Sequence, residues 1–255
     1  MKTPDKTYSL YKGKVVIDFF EGRHWYIRRD TGKVLTSVTG ALGIIASADI
    51  LMAWATKLAK NHLIEIIESG GMVLVDDVYK ACGLYRAKRD EAGDIGTAVH
   101  AMIESYIKSK LEKKPFKFGN VPEKVGYGFI AFKEWVEKNK VKFEATEQIV
   151  YSLKYNYVGT LDIRAVVNGK RTLIDIKTSN YLSDTMPWQT SAYLEADREE
   201  SGREYDDRMI LHIKKDTGDF EAVHLGMENH KKDFKAFVGV LAAKNRLKEK
   251  GGVKK

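Results

Sequence analysis

Two periodicities divide the chain. Residues 157 to 167 and 172 to 178 are rich in strand formers, and Asn168-Gly169 between them suits the two positive φ angles of a type I′ hairpin turn. Shorter runs at 14–20, 23–29 and 33–39, split by Glu21-Gly22 and Asp30-Thr31-Gly32, predict a small N-terminal β-meander. Over 48–68 the residues Leu51, Trp54, Ala55, Leu58, Leu63, Ile66 and Ile67 recur at helical spacing until Gly70-Gly71 ends the run. A short helix is expected at 76–82, with 88–91 as a polar approach to the next. After Gly93-Asp94-Ile95-Gly96 a helix is expected over 97–111, capped by Asp94 or Thr97, with Ala98, Val99, Met102, Ile103, Tyr106 and Ile107 on one arc. Beyond a loop at 113–122 lies an amphipathic helix at 123–138, with Tyr127, Ile130, Phe132 and Trp135 read as inward. A strand at 146–153 precedes the hairpin. Ser183-Asp184 then opens a helix to about 200 with Pro187 in its first turn. Strands at 208–214 and 219–225 flank Asp216-Thr217-Gly218, and a last helix over 228–248 carries Phe234, Phe237, Val238 and Leu241 as its buried stripe.

The order is mixed α/β, and no repeat or low-complexity linker interrupts it. We therefore expect one domain, 1–255, with an N-terminal lobe (1–92), a core (93–248) and a basic tail (249–255). With 255 residues, 44% of them hydrophobic, the chain is long enough to bury a full core. It has no apolar run of membrane-spanning length and MKTPDKTYSL has no secretory h-region, so a cytoplasmic location is expected. One cysteine, Cys82, excludes an internal disulfide and an iron–sulfur cluster, leaving oxygen and imidazole as metal ligands. A formal charge of +8 favours an anionic partner such as DNA, although Lys244, Arg246, Lys248, Lys250, Lys254 and Lys255 put part of it in a terminal segment that need not bind anything.

The hairpin turn sets a register. Pairing Val167 with Lys170 places Ile163 opposite Ile174 and Asp162 opposite Asp175, while Lys177 shares the face of Asp175. Facing carboxylates repel by up to about 1 kcal/mol unless a cation lies between them. Hydrolysis of a phosphodiester needs hard oxygen ligands for Mg²⁺ or Mn²⁺ and a fixed positive charge for the developing phosphorane, which Asp162, Asp175 and Lys177 can supply. The Ile176 carbonyl would face the same side, and His100 could add an imidazole. Taken alone, Asp-x-Lys is more often an unremarkable exposed sheet face, and His100 with Glu104 a solvent-facing i,i+4 pair. Trp188, Tyr155 and Tyr157 are candidates for stacking on bases, although aromatics beside strands are more often core.

With these residues in view, the chain resembles the PD-(D/E)XK nucleases, and within them the RecB-like branch that includes phage and mitochondrial genome maintenance exonucleases. GTAVHAMIE (96–104) is similar to the helical histidine motif, ATEQIVYS (145–152) to the strand bearing an inward glutamate, GTLD (159–162) and DIK (175–177) to the two core motifs, and QTSAY (189–193) to the Gln-x-x-x-Tyr helix. The resemblance implies a restriction-endonuclease-like core, a central mixed sheet flanked by helices. It implies His100, Asp162, Asp175 and the Ile176 carbonyl as metal ligands, with Lys177, Glu104, Glu147, Gln189 and Tyr193 as active-site neighbours. SVTGALGI and the following helix are similar to the N-terminal lobe of phage members. The absence of a cysteine set departs from the cluster-bearing members, and no helicase motif is present.

The implied function is an Mg²⁺- or Mn²⁺-dependent deoxyribonuclease, exonucleolytic on single-stranded or duplex ends, in phage or bacterial recombination, repair or replication. A single-strand-binding or recombination protein would be a fitting partner. The competing readings are a DNA-binding or regulatory protein with the same fold, a structure-specific endonuclease, and a structural protein without metal affinity.

Overall fold

The computed structural model describes residues 3–45, 48–214 and 216–251. Four strands, β1 (Lys6–Leu10), β2 (Val15–Phe20), β3 (Trp25–Arg28) and β4 (Lys33–Val34), form an antiparallel meander in that order. A short β5 (Thr36–Ser37) leaves the meander for the main sheet, and α1 (Val38–Leu42) follows, its first turn capped by Ser37, whose hydroxyl accepts from the Gly40 N–H at 3.1 Å. Helices α2 (Ala48–Glu68) and α3 (Val75–Leu111) pack on each other, and α4 (Glu123–Lys138) packs on α3. Then come β6 (Val141–Ser152), β7 (Tyr157–Val167), β8 (Lys170–Lys177), α5 (Met186–Ser201), β9 (Asp207–Lys214), β10 (Asp219–His224) and α6 (His230–Gly251).

The central sheet is mixed: β10, β9, β8 and β7 are consecutive neighbours, with β8 and β9 parallel and the other pairs antiparallel. Antiparallel β6 covers β7 along its length, so β8 and parallel β5 share the other edge of β7. They meet different parts of it. β8 pairs with Ile163 to Val167 and β5 with Tyr157 and Val158, leaving a fork at Gly159 to Asp162. Helices cover both faces. Ile163, Ala165, Ile174, Ile176 and Leu211 pack against α3 and α4 through Val99, Ile103, Phe129 and Phe132, while Leu161, Leu173 and Tyr157 pack against α1, α5 and α6 through Val38, Leu194, Phe237 and Leu241. Leu161 and Ile163 have the same parity yet lie on opposite faces, so the alternation of β7 changes phase at Asp162, beside the fork.

Several expectations need correction. The short helix at 76–82 and the capped helix at 97–111 are one helix, α3, running through Gly83, Gly93 and Gly96. Glycine inside a helix costs about 1 kcal/mol, which tertiary contact outweighs here. At Gly96 a Cβ would come within 2.7 Å of the Thr178 hydroxyl, so the glycine permits close passage past the end of β8. The 92/93 boundary consequently falls inside α3, and β5 ties the N-terminal region into the core sheet. The run at 33–39 divides among β4, β5 and α1, and β1 was not anticipated. On α4 the inward stripe is Val125, Phe129, Phe132 and Trp135; Tyr127 and Ile130, off that stripe, are exposed. On α6, Phe237 and Leu241 are buried whereas Phe234 and Val238 are partly so. The strand expected at 146–153 begins at Val141, with a bulge between Phe143 and Ala145. Lys254 and Lys255 of the basic tail lie outside the described residues. Among the described residues no helix is long and apolar enough to cross a membrane.

Candidate metal centre

Asn168 and Gly169 have φ of 49° and 85°, as a type I′ turn demands, and the register runs from Val167 with Lys170 to Ile163 with Ile174 as the sequence predicts. It stops there. At the next step the strands part, and the Asp162 carboxylate accepts the Ile176 N–H at 2.7 Å in place of a backbone partner. In an extended strand the N–H and C=O of one residue point to the same edge, so the Ile176 carbonyl faces this gap too.

Asp162 has a second facing carboxylate that the register argument missed. In β6 the ladder passes from Thr146, opposite Ile163, to Gln148, opposite Leu161, omitting Glu147 and Asp162. Glu147 has a φ of 48°, a left-handed conformation that costs a non-glycine residue on the order of 1–2 kcal/mol and gathers at functional sites. Glu147, Asp162 and Asp175 thus form a row across three neighbouring strands. From α3, His100 reaches the outer end of that row, with Nδ1 3.8 Å from Asp162 Oδ2 and 4.0 Å from Glu147 Oε1.

Ligand atoms of His100, Glu147 and Asp162 all lie within 4.8 Å of one another. Donors about 2.1 Å from a shared octahedral ion are separated by roughly 3.0 to 4.2 Å, so the two histidine distances fit a divalent cation of the size of Mg²⁺ or Mn²⁺. Two carboxylates and an imidazole are also the right donors, hard to borderline. Burial and the charges of Asp162 and Glu104 raise the Glu147 pKa to about 8, so at neutral pH a cation there must displace a proton.

The inner end of the row is different. Asp175 is 1% exposed, its Oδ2 is 2.6 Å from the Lys177 ammonium, and its Oδ1 accepts from Gln189 Nε2 at 3.2 Å. Burial raises the Asp175 pKa, and Asp162 adds to the rise against the pull of Lys177. Burial also opposes the Lys177 ammonium, but Asp175 and Asp162 outweigh it and hold its pKa above the ordinary value. Gln189 donates as well to the Tyr193 hydroxyl at 2.9 Å, and the Tyr193 ring is so close to β7 that a Cβ on Gly159 would lie 2.5 Å from Cε1. A glycine is therefore required at the first position of GTLD. Glu104 stands one helical turn beyond His100 but pairs with Lys108 at 2.5 Å, outside the triad.

A cleft of about 700 Å³ opens at the fork. Its walls carry His24 and Tyr26 from the meander, Ser37 to Thr39 at the start of α1, Gly93, Gly96, Thr97 and His100 from α3, and Thr178 and Ser179 after β8; Glu147, Gly159, Asp162 and Tyr193 also line it. The meander contribution had no signal in the sequence beyond its aromatic content. Of the stacking candidates, Tyr157 is buried with its hydroxyl on the Ala192 carbonyl at 2.7 Å, Tyr155 packs edge-on against Phe234, and Trp188 packs in the α5/α6 core.

No family model matches the chain, and no curated protein matches it in sequence. Two solved structures are similar to it: the alkaline exonuclease LHK-Exo from Laribacter hongkongensis (14% identity, TM-score 0.31) and LHK-Exo in complex with dAMP (14% identity, TM-score 0.30), each covering 60% of this chain and 84% of the other. Likeness that loose says nothing about chemistry, which must come from the chain's own residues.

Proposed function

We propose that this chain is a divalent-metal-dependent deoxyribonuclease that hydrolyses phosphodiester bonds from DNA ends, with Mg²⁺ or Mn²⁺ held by His100, Glu147 and Asp162 and completed by Asp175 or the Ile176 carbonyl. The observation that carries the reading is the convergence of three ligand atoms within 4.8 Å at the floor of a cleft, next to a lysine fixed on a buried aspartate. A cation bound there would polarise a phosphoryl oxygen and acidify a water. Lys177 holds a positive charge that offsets the negative charge developing on the phosphate. Gln189 and Tyr193 fix Asp175, and through it Lys177, in one orientation. Glu104 stays on the α3 surface and shapes the field at Glu147.

The exonuclease reading is supported by the make-up of the cleft, whose walls the meander, the start of α1 and α3 all contribute to. Such a cleft admits a free end more readily than a continuous strand. A role in bacterial or phage DNA recombination, repair or replication, in the cytoplasm and alongside a single-strand-binding or recombination partner, is the setting that fits this activity. Incubating the protein with end-labelled single-stranded and duplex DNA, and with closed circular DNA, in Mg²⁺, Mn²⁺ or EDTA tests the reading. Linear DNA should be digested only with metal while closed circles persist. Rapid nicking of closed plasmid would make it an endonuclease; no cleavage together with a flat Mn²⁺ titration would remove the nuclease reading.

A further inference from the structure

Tyr157 is buried, and Tyr155 and Trp188 pack against the core; an aromatic cluster that does reach the cleft stands at the tip of the β2–β3 hairpin. Its turn, Glu21–Arg23, leads into His24, whose φ of 49° reverses the chain. The exposed His24 ring stands edge-on to Phe19 (centroids 5.2 Å, planes at 87°) and to Tyr26 (5.6 Å, 89°), with Phe19 and Tyr26 anchored in the meander core. Two edge contacts fix the ring without covering both of its faces. His24 and Tyr26 line the cleft that ends at the metal centre. One position along, Trp25 is 40% exposed, and the Arg23 guanidinium carbon sits 4.7 Å from its ring centre. This cation–π pair is also at the surface, beside Phe20, with which Trp25 pairs in register. Preset ring planes, a cation and, through His24, a lining position in the cleft are what unpaired bases on an anionic backbone require, and a paired duplex presents no free base faces to them.

We propose that the β2–β3 tip is a stacking platform for unpaired nucleobases of a DNA strand entering the cleft, with His24 receiving the base nearer the metal centre and the Arg23–Trp25 pair one farther out. The proposal deepens the nuclease reading and rests on it for the identity of the ligand. It makes the chain a single-strand reader at its entrance whatever the nature of the end it cuts.

The test is equilibrium binding in EDTA, where no cleavage occurs. Fluorescence anisotropy of a labelled oligothymidylate and of a blunt duplex would be measured with wild type, His24→Ala and Trp25→Ala. Because stacking contributes about 1–3 kcal/mol per base, each variant should bind the single strand at least about fivefold more weakly, with the duplex changed less than about twofold. An abasic oligonucleotide should bind wild type as weakly as the intact one binds the variants. Single-strand affinities within about twofold of wild type in both variants, or equal losses for both DNA forms, would overturn the platform. A Mn²⁺ titration of the same three proteins, without EDTA or DNA, separates the two ideas. An isotherm unchanged by either substitution, beside weakened single-strand binding, supports both; no isotherm even in wild type, beside the same weakening, removes the nuclease reading and keeps the platform.

Discussion

The two ends of the carboxylate row are built on opposite principles. At the inner end Asp175 is buried and answered from within the protein by Lys177 at 2.6 Å and by Gln189. At the outer end Glu147 and Asp162 face the cleft, and among the described residues neither forms an ion pair with a lysine or arginine; their neighbour is His100. A buried acid with its own cation is a finished structural unit, whereas Glu147, its pKa raised by burial and by the charges of Asp162 and Glu104, sheds its proton more readily once a cation arrives from solution. The row therefore carries a permanent positive charge at one end and, at the other, a donor set that fits a divalent cation.

Removing the permanent charge should have the largest effect. Lys177→Ala is expected to lower single-turnover cleavage about 100-fold or more, while DNA affinity, spread over a surface of net charge +8, changes by less than about threefold. A rate above about a tenth of wild type would show that the two ends are not specialised in this way. Next in size is the contrast between two conservative variants melted in EDTA. Asp175→Asn leaves the Lys177 ammonium buried without its counter-charge and should cost about 3 kcal/mol. Asp162→Asn can still accept the Ile176 N–H and relieves repulsion toward Glu147 and Asp175, so its stability should rise, or fall by no more than a few tenths of a kcal/mol. Equal losses in the two variants would erase the distinction.

The hairpin turn and its five cross-strand pairs were legible in the sequence, because Asn-Gly chemistry and a period of two are local properties. What was not legible depends on distant chain. The β8 ladder ends at Ile163, and the far end of the same β7 edge, Tyr157 and Val158, is taken by β5, some 120 residues earlier in sequence; residues 33–39 read locally as one meander strand. Glu147 gives no sign in sequence of its left-handed backbone, and only the family resemblance pointed to it; the hairpin register by itself pairs Asp162 with Asp175 and does not reach Glu147. Conversely, Gly93 and Gly96 gave a false local signal of a helix start: both line the cleft from within α3, and Gly96 serves close passage past Thr178 rather than termination.

The outer end is sharpened by His100→Ala. The imidazole is partly exposed at the margin of α3, so truncation should leave the melting temperature nearly unchanged while weakening Mn²⁺ binding at least about tenfold. An unaltered isotherm would return His100 to the role of a solvent-facing neighbour of Glu104.

The smallest effect, and the most specific to the outer end, concerns pH. Glu147 has an ordinary pKa of 4.5 in the unfolded chain and about 8 in the fold, so between these values the folded protein holds a proton that the unfolded chain has lost. The unfolded state then binds fewer protons, and stability must decline as pH rises from about 4.5 through about 8. Asp175, also raised, acts in the same direction. In EDTA the melting temperature should therefore fall by a few degrees between pH 5 and pH 8, and Glu147→Gln, which has no proton to lose there, should flatten most of that slope. A divalent cation should flatten it as well by replacing the proton, while its own affinity climbs with pH over the same window. Lys177→Ala should not flatten the slope, because the lysine stays charged throughout this range. A wild-type slope of the opposite sign, or one that Glu147→Gln leaves intact, would mean that the acids at the outer end are already satisfied within the protein and that the two ends of the row are alike.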